Sequence, residues 1–315
     1  MKRHLSKLWL VLAAVLLYVV LRGMDWGAAW TAVRELRGWQ LAVLVVANGG
    51  MLATLFGRWA VILYAQGHRI PLGQVAQIGL AGYAVSYLTP GPQFGGEPLQ
   101  VYLLHTRHGV SLATATAGVV LDKALALVTS FGFLLLGGIV VYGGVLGTAV
   151  NGAAVWGGSL FLLLPLGLLV GWWRGRVPLA ALAAVLRLSH LRPLAIVAEA
   201  EEQIVIFCRD HAGAFWLAML LSVVSWLLLA GEYWLMAQFV GLRMTGWQAV
   251  ALLTAVRLAY LLPMPGVIGS LEASQIWALG AMGLPPALGL SLSLLIRVRD
   301  VALALVGLAV GGSKR

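Results

Sequence analysis

Long uncharged runs dominate the chain, and their lengths are set by the bilayer: about 20 helical residues at about 1.5 Å each cross a hydrocarbon core of about 30 Å. Six such segments are predicted, at 8–21, 39–64, two within 124–173, then 215–240 and 288–310. Segment 39–64 is interrupted only by Arg58. No charge falls within 124–173, where Gly143-Gly144, Gly147 and Asn151-Gly152 supply turn signals midway. Segment 215–240 carries Glu232, and 288–310 carries Arg297, Arg299 and Asp300. Two further stretches, 72–104 and 247–282, are apolar but broken by proline and glycine, and are predicted as re-entrant hairpins or broken helices. The expected fold is all-α and polytopic: one membrane domain over 1–315, with about six full spans and two broken segments. Its halves are 1–173 and 214–315. Between them, 174–213 has Leu, Val and Ile at helical spacing among Arg187, Arg192, Glu199, Glu201, Glu202 and Arg209, the pattern of amphipathic helices on the inner membrane surface.

The broken segments resemble each other. One reads Tyr87-Leu88-Thr89-Pro90-Gly91-Pro92-Gln93-Phe94-Gly95-Gly96-Glu97. The other reads Tyr260-Leu261-Leu262-Pro263-Met264-Pro265-Gly266-Val267-Ile268-Gly269-Ser270-Leu271-Glu272. Both run Tyr-Leu-x-Pro-x-Pro, then glycine, then glutamate. Proline removes a backbone donor and glycine opens conformations closed to other residues, so each motif breaks a helix. At membrane depth such backbone is tolerated only where protein or a wet cavity covers it. In the expected topology the first segment enters from the cytoplasm and the second from outside, an inverted repeat of the kind that builds a transporter's central site. The substrate-binding candidates are therefore Pro90, Pro92, Gly95, Gly96 and Glu97 from the first break, and Pro263, Pro265, Gly266, Gly269 and Glu272 from the second. Arg257, beside the second break, joins them.

Composition confirms the setting. The chain is 61% hydrophobic and 10% charged, with a mean hydropathy of +0.93, which excludes a soluble domain carried on a single anchor. Its 21 Lys and Arg against 11 Asp and Glu read as loop charges facing an anionic leaflet, and no nucleic-acid partner is expected. Arg22, Arg34, Arg37 and Arg243 fall on one side of the predicted topology and twelve basic residues on the other, so both termini are expected in the cytoplasm. The basic start and the apolar run 8–21 resemble the first two regions of a signal peptide, but the small residues Gly27-Ala28-Ala29 make a poor, late cleavage site, and 8–21 is read as a retained span. The single Cys208 excludes an intrachain disulfide, a cysteine zinc site and an iron–sulfur cluster. His105 and His108 stand in a basic loop without a neighbouring carboxylate, and no phosphate-binding or hydrolase motif occurs. No metal, cofactor or catalytic residue is assigned.

Charges inside the expected spans balance, with Glu97, Asp122, Glu232, Glu272 and Asp300 against Arg58, Lys123, Arg257, Arg297 and Arg299. At about 2.5–3.5 kcal/mol each near the bilayer centre, ten isolated charges would cost about 25–35 kcal/mol, more than the about 5–15 kcal/mol that holds a domain together. They must pair, snorkel or line water. Arg58 lies near enough to the cytoplasmic surface to snorkel.

These residues resemble the transmembrane, flippase-like domain of lysylphosphatidylglycerol synthases and its stand-alone relatives, over nearly the whole chain. The marks are Arg58-Trp59, Pro90 with Gly95-Gly96-Glu97, Val120-Leu121-Asp122-Lys123, Pro263 with Gly266, Gly269 and Glu272, and an arginine followed by Gly307. The family often places an arginine shortly after the first Gly-Gly-Glu, where this chain has Pro98-Leu99-Gln100. The resemblance implies a bacterial or archaeal inner-membrane protein related to domains that move an aminoacylated phospholipid between leaflets. It does not imply synthesis of the lysyl lipid, which belongs to a soluble domain. The expected function is movement of a phospholipid or an isoprenoid-linked lipid across the membrane. The alternatives are an intramembrane lipid transferase and a non-transporting partner of a lipid-synthesising enzyme.

Overall fold

The computed structural model describes residues 34–89, 95–141, 152–186, 192–261 and 267–312, and among these every regular element is a helix. The first series is α1 (Gly38–Ala65), α2 (Leu72–Leu88), α3 (Glu97–His108) and α4 (Leu112–Val140). Next come α5 (Gly152–Trp173), α6 (Pro178–Val185) and α7 (Arg192–Asp210). The second series is α8 (Ala212–Phe239), α9 (Gly246–Tyr260), α10 (Ser270–Ala281) and α11 (Ala287–Gly312).

Local chemistry sets the boundaries. The Ser111 hydroxyl caps α4 by accepting the Thr114 N–H at 3.1 Å. Thr245 and Gln248 cap α9 reciprocally, the Gln248 carboxamide accepting the Thr245 N–H at 2.8 Å. Gly109, in the left-handed region at φ 66°, ends α3.

Helices α1, α4 and α8 are long and apolar enough to cross a membrane, and the lower part of α5 with α6 makes a fourth candidate bent by 105°. The expected six spans are thus not reached among the described residues, for physical reasons. Helix α11 has the length but carries Arg297, Arg299 and Asp300 at its middle. The chain after α5 turns sharply instead of continuing. Segment 8–21 lies outside the described residues.

Helix lengths recur in order: 28, 17, 12 and 29 residues in the first series, 28, 15, 12 and 26 in the second. Helix α1 packs along α8, α2 along α11, and α4 against α9. Two of these contacts close over glycine. A Cβ on Gly137 of α4 would stand 1.8 Å from the Thr254 Oγ1 of α9, and one on Gly307 of α11 would stand 2.1 Å from the Leu80 carbonyl of α2. Each series buries its own apolar cluster, Phe56, Ile78, Leu104 and Val119 in the first, Tyr233, Leu252, Leu279 and Leu295 in the second.

Helix α7 is amphipathic as expected and seats Ile204 and Phe207 against Leu121, Leu125 and Trp172. Glu201, one of the charged residues of that pattern, is 1% exposed. Its carboxylate accepts the Trp172 indole N–H at 2.8 Å and the Leu179 and Ala180 N–H groups at 3.0 and 2.6 Å. It caps the start of α6 and fastens the bend, in keeping with the preference of anions for helix N-termini.

Candidate functional site

A cavity of about 470 Å³ opens between the two series. Its charged lining is Arg58, Glu97, Asp122, Lys123, Arg257, Arg299 and Asp300, so seven of the sequence candidates converge on one space.

Most of these charges are already paired. Arg58, on α1 and 3% exposed, clasps Asp122 of α4 through Nε and Nη2 at 2.7 and 2.9 Å, and its Nη1 donates to the Ser222 hydroxyl of α8 at 2.7 Å. Pairing, not snorkelling, is what accommodates this arginine inside the protein. Lys123, next to Asp122, pairs instead with Glu97 at 2.7 Å. Adjacent helical residues point about 100° apart, which sends the two charges to different partners. Arg299 donates to Asp300 at 2.9 Å and to Glu232 of α8 at 3.3 Å, and Asn48 of α1 donates to Glu232 at 3.3 Å. The Tyr260 hydroxyl donates to the other Asp300 oxygen.

The two glutamates of the repeated motif do the same local work. Glu97 accepts the Gly95 N–H at 2.7 Å, and Glu272 accepts the Gly269 N–H at 3.0 Å. Both glycines have positive φ, 134° and 81°, a conformation costly to other residues. Each glutamate then ion-pairs with a cation of the following long helix, Glu97 with Lys123 and Glu272 with Arg297. The N-termini of α3 and α10 are therefore occupied by the chain's own carboxylates. Gly96 permits the α2–α3 hairpin to close, since a Cβ there would stand 2.0 Å from the Gly82 carbonyl. Val267, beside the second break, holds φ 54°, unusual for a β-branched residue. Glu272, Arg297 and Gly269 lie off the cavity. Pro90, Pro92, Pro263, Pro265 and Gly266 are outside the described residues.

Arg257 differs from the other cavity cations. Its guanidinium carbon lies 4.5 Å from the centre of the Trp226 ring and 5.8 Å from that of Tyr260, and Phe133 stacks on the same indole at 4.7 Å. Its Nε is buried without a hydrogen-bond partner, and no carboxylate pairs with it among the described residues. Aromatic faces support a cation by about 0.5–2 kcal/mol, less than a buried carboxylate would, so its N–H groups are open to an anion entering the cavity.

Pattern reasoning missed the aromatic part of the site: Trp226 beneath Arg257, and Tyr83 stacked on Tyr87 in the wall. A signal existed in Tyr87 and Tyr260, the leading tyrosines of the two motifs, which both line the cavity.

The family described as lysylphosphatidylglycerol synthase TM region matches residues 8–307. A UPF0104 membrane protein of Methanothermobacter thermautotrophicus (strain Delta H) is 26% identical over 144 residues, 46% of this chain and 42% of that protein. The matched stretch thus spans less than half the length of that relative. No solved structure matches.

Proposed function

This chain belongs to the lysylphosphatidylglycerol synthase TM region family of membrane proteins, and from that premise we propose that it moves a phospholipid or an isoprenoid-linked lipid between leaflets. In this reading the headgroup passes through the cavity while the acyl chains stay in lipid, and the protein makes or breaks no covalent bond. The observation that carries the proposal is Arg257, a cation held on aromatic faces in a cavity of about 470 Å³ with no carboxylate of its own among the described residues. A lipid phosphate supplies the missing anion.

The recurring helix series supports an inverted repeat, α1–α4 against α8–α11, with its broken segments entering from opposite faces. Arg58 and Glu232 stand at the same place in α1 and α8, twenty residues past the first, and each pairs with the fourth helix of its own series. We place the protein in a bacterial or archaeal inner membrane as a multi-pass protein, with both termini cytoplasmic and 8–21 and α11 counted among the spans.

The test is transbilayer movement of fluorescent phospholipids in vesicles reconstituted with the purified chain. Wild type accelerates movement, and Arg257→Gln abolishes most of that acceleration while keeping its thermal unfolding midpoint. Unchanged movement in a folded Arg257→Gln protein would remove the site assignment. No movement by wild type, with a lipid-synthesising enzyme co-purifying in stoichiometric amount, would favour the partner role instead.

A further inference from the structure

We infer that the cavity selects headgroups with one net negative charge and rejects those with a net positive charge, an inference that rests on the transport reading above. The reason lies in how completely the acids of the wall are engaged. Three carboxylates line the cavity among the described residues, and a cation holds each of them: Asp122 by Arg58, Glu97 by Lys123, Asp300 by Arg299. Both oxygens of Asp122 receive Arg58 N–H groups. One oxygen of Asp300 takes Arg299 and the other takes the Tyr260 hydroxyl. The second oxygen of Glu97 is spent on the Gly95 N–H. Glu232, just behind the wall, is shared between Arg299 and Asn48.

Among the described residues, the cavity therefore offers an entering headgroup one open charge, and it is positive. A phosphodiester takes the place of the carboxylate that Arg257 lacks. A surplus amine finds no open acid. To bind, it must share a carboxylate that already carries Arg58, Lys123 or Arg299, or displace that cation, and either way it crowds positive charge into the space that holds Arg257. Removing a partner from a buried pair and crowding like charges away from bulk water are both strongly unfavourable. Selectivity thus comes from a repulsive wall as much as from the attractive arginine. The family's name refers to a lysyl lipid, whose two amines outweigh its one phosphate. The wall of this chain fits the anionic lipid from which such an ester is made, not the ester.

The test incubates the detergent-purified full chain with an equimolar mixture of dioleoyl-phosphatidylglycerol and its lysyl ester, and counts retained lipid by native mass spectrometry. Wild type is expected to retain the anionic lipid over the lysyl ester by about tenfold or more, the scale on which like-charge juxtaposition separates partners. The preference vanishes in Arg257→Gln and survives in part in Arg257→Lys. Lys123→Gln, which releases Glu97, raises retention of the lysyl ester. Equal retention of the two lipids by wild type, or preference for the ester, overturns the charge selectivity and leaves the transport reading standing, because a lipid is still held. A preference that persists unchanged in folded Arg257→Gln overturns it equally. Retention of neither lipid, with no movement of either in vesicles, overturns the transport reading and the selectivity together. The wild-type ratio needs no variant, so a misfolding substitution does not spare the proposal.

Discussion

Removing the carboxylate of Asp122 while keeping its shape, by Asp122→Asn, strands Arg58 in a site where only 3% of the residue is exposed. Breaking one side of a buried pair typically costs about 3–5 kcal/mol, because the remaining charge is uncompensated. The Asp122 side chain is 17% exposed toward the cavity, so water can partly replace it, which puts the expected loss near the lower end, at about 3 kcal/mol. Arg58→Met leaves Asp122 unpaired and costs a similar amount. The double variant Arg58→Met/Asp122→Leu replaces the pair with apolar volume and is expected within about 1 kcal/mol of wild type, since such replacements are often neutral. The coupling therefore reaches or exceeds the upper end of the about 0.5–3 kcal/mol found between contacting residues. The assay is reversible unfolding in mixed micelles, titrating SDS against a mild detergent, for all four proteins. Single variants within about 1 kcal/mol of wild type, or a double variant equal to the sum of the singles, would refute the reasoning that this pair holds the arginine inside the protein.

Gly307→Ala already sets a Cβ 2.1 Å from the Leu80 carbonyl and forces α2 from α11; we expect loss of folded yield by size-exclusion chromatography, with Gly307→Leu more severe still. Glu201→Ala leaves the Trp172, Leu179 and Ala180 N–H groups without their acceptor. At about 1–3 kcal/mol for each buried donor left unsatisfied, it should loosen the bend before α6 and speed tryptic cleavage at Arg174 and Arg176. Burial pushes the Cys208 thiol up to about 12, so the folded protein keeps a proton that the unfolded chain releases near about 8.5. Maleimide labelling should therefore be negligible at neutral pH until denaturant is added, and stability should decline as pH rises above about 9. Fast labelling of the native protein would contradict that burial.

Apolar run length was enough to find α1, α4 and α8, because a membrane helix announces itself by what it lacks. The broken segments were legible for a related reason: proline, glycine and glutamate each have a backbone consequence that needs no tertiary context. The partners of the charges were not legible. Asp122 and Lys123 are neighbours in sequence yet reach α1 and α3 respectively, and only the packing of three helices decides which acid meets which base. Glu201 was hidden differently. Its neighbours Glu199 and Glu202 share its chemistry, and a helical pattern alone does not say which of three glutamates meets the N-terminus of another helix. Trp226 was passed over because tryptophan on a membrane helix is ordinarily an interfacial anchor, and nothing local marks one that lies under an arginine.

Four ion pairs among the described residues close within single halves: Arg58 with Asp122 and Glu97 with Lys123 before residue 141, Glu232 with Arg299 and Glu272 with Arg297 after residue 211. What joins the halves at Gly137 and Gly307 is bare backbone against a threonine and a carbonyl. This matters first during synthesis. As the ribosome delivers the chain, the charges of the first half find their counter-ions as soon as α4 emerges. The membrane need not shelter an unpaired arginine while the second half is still being made.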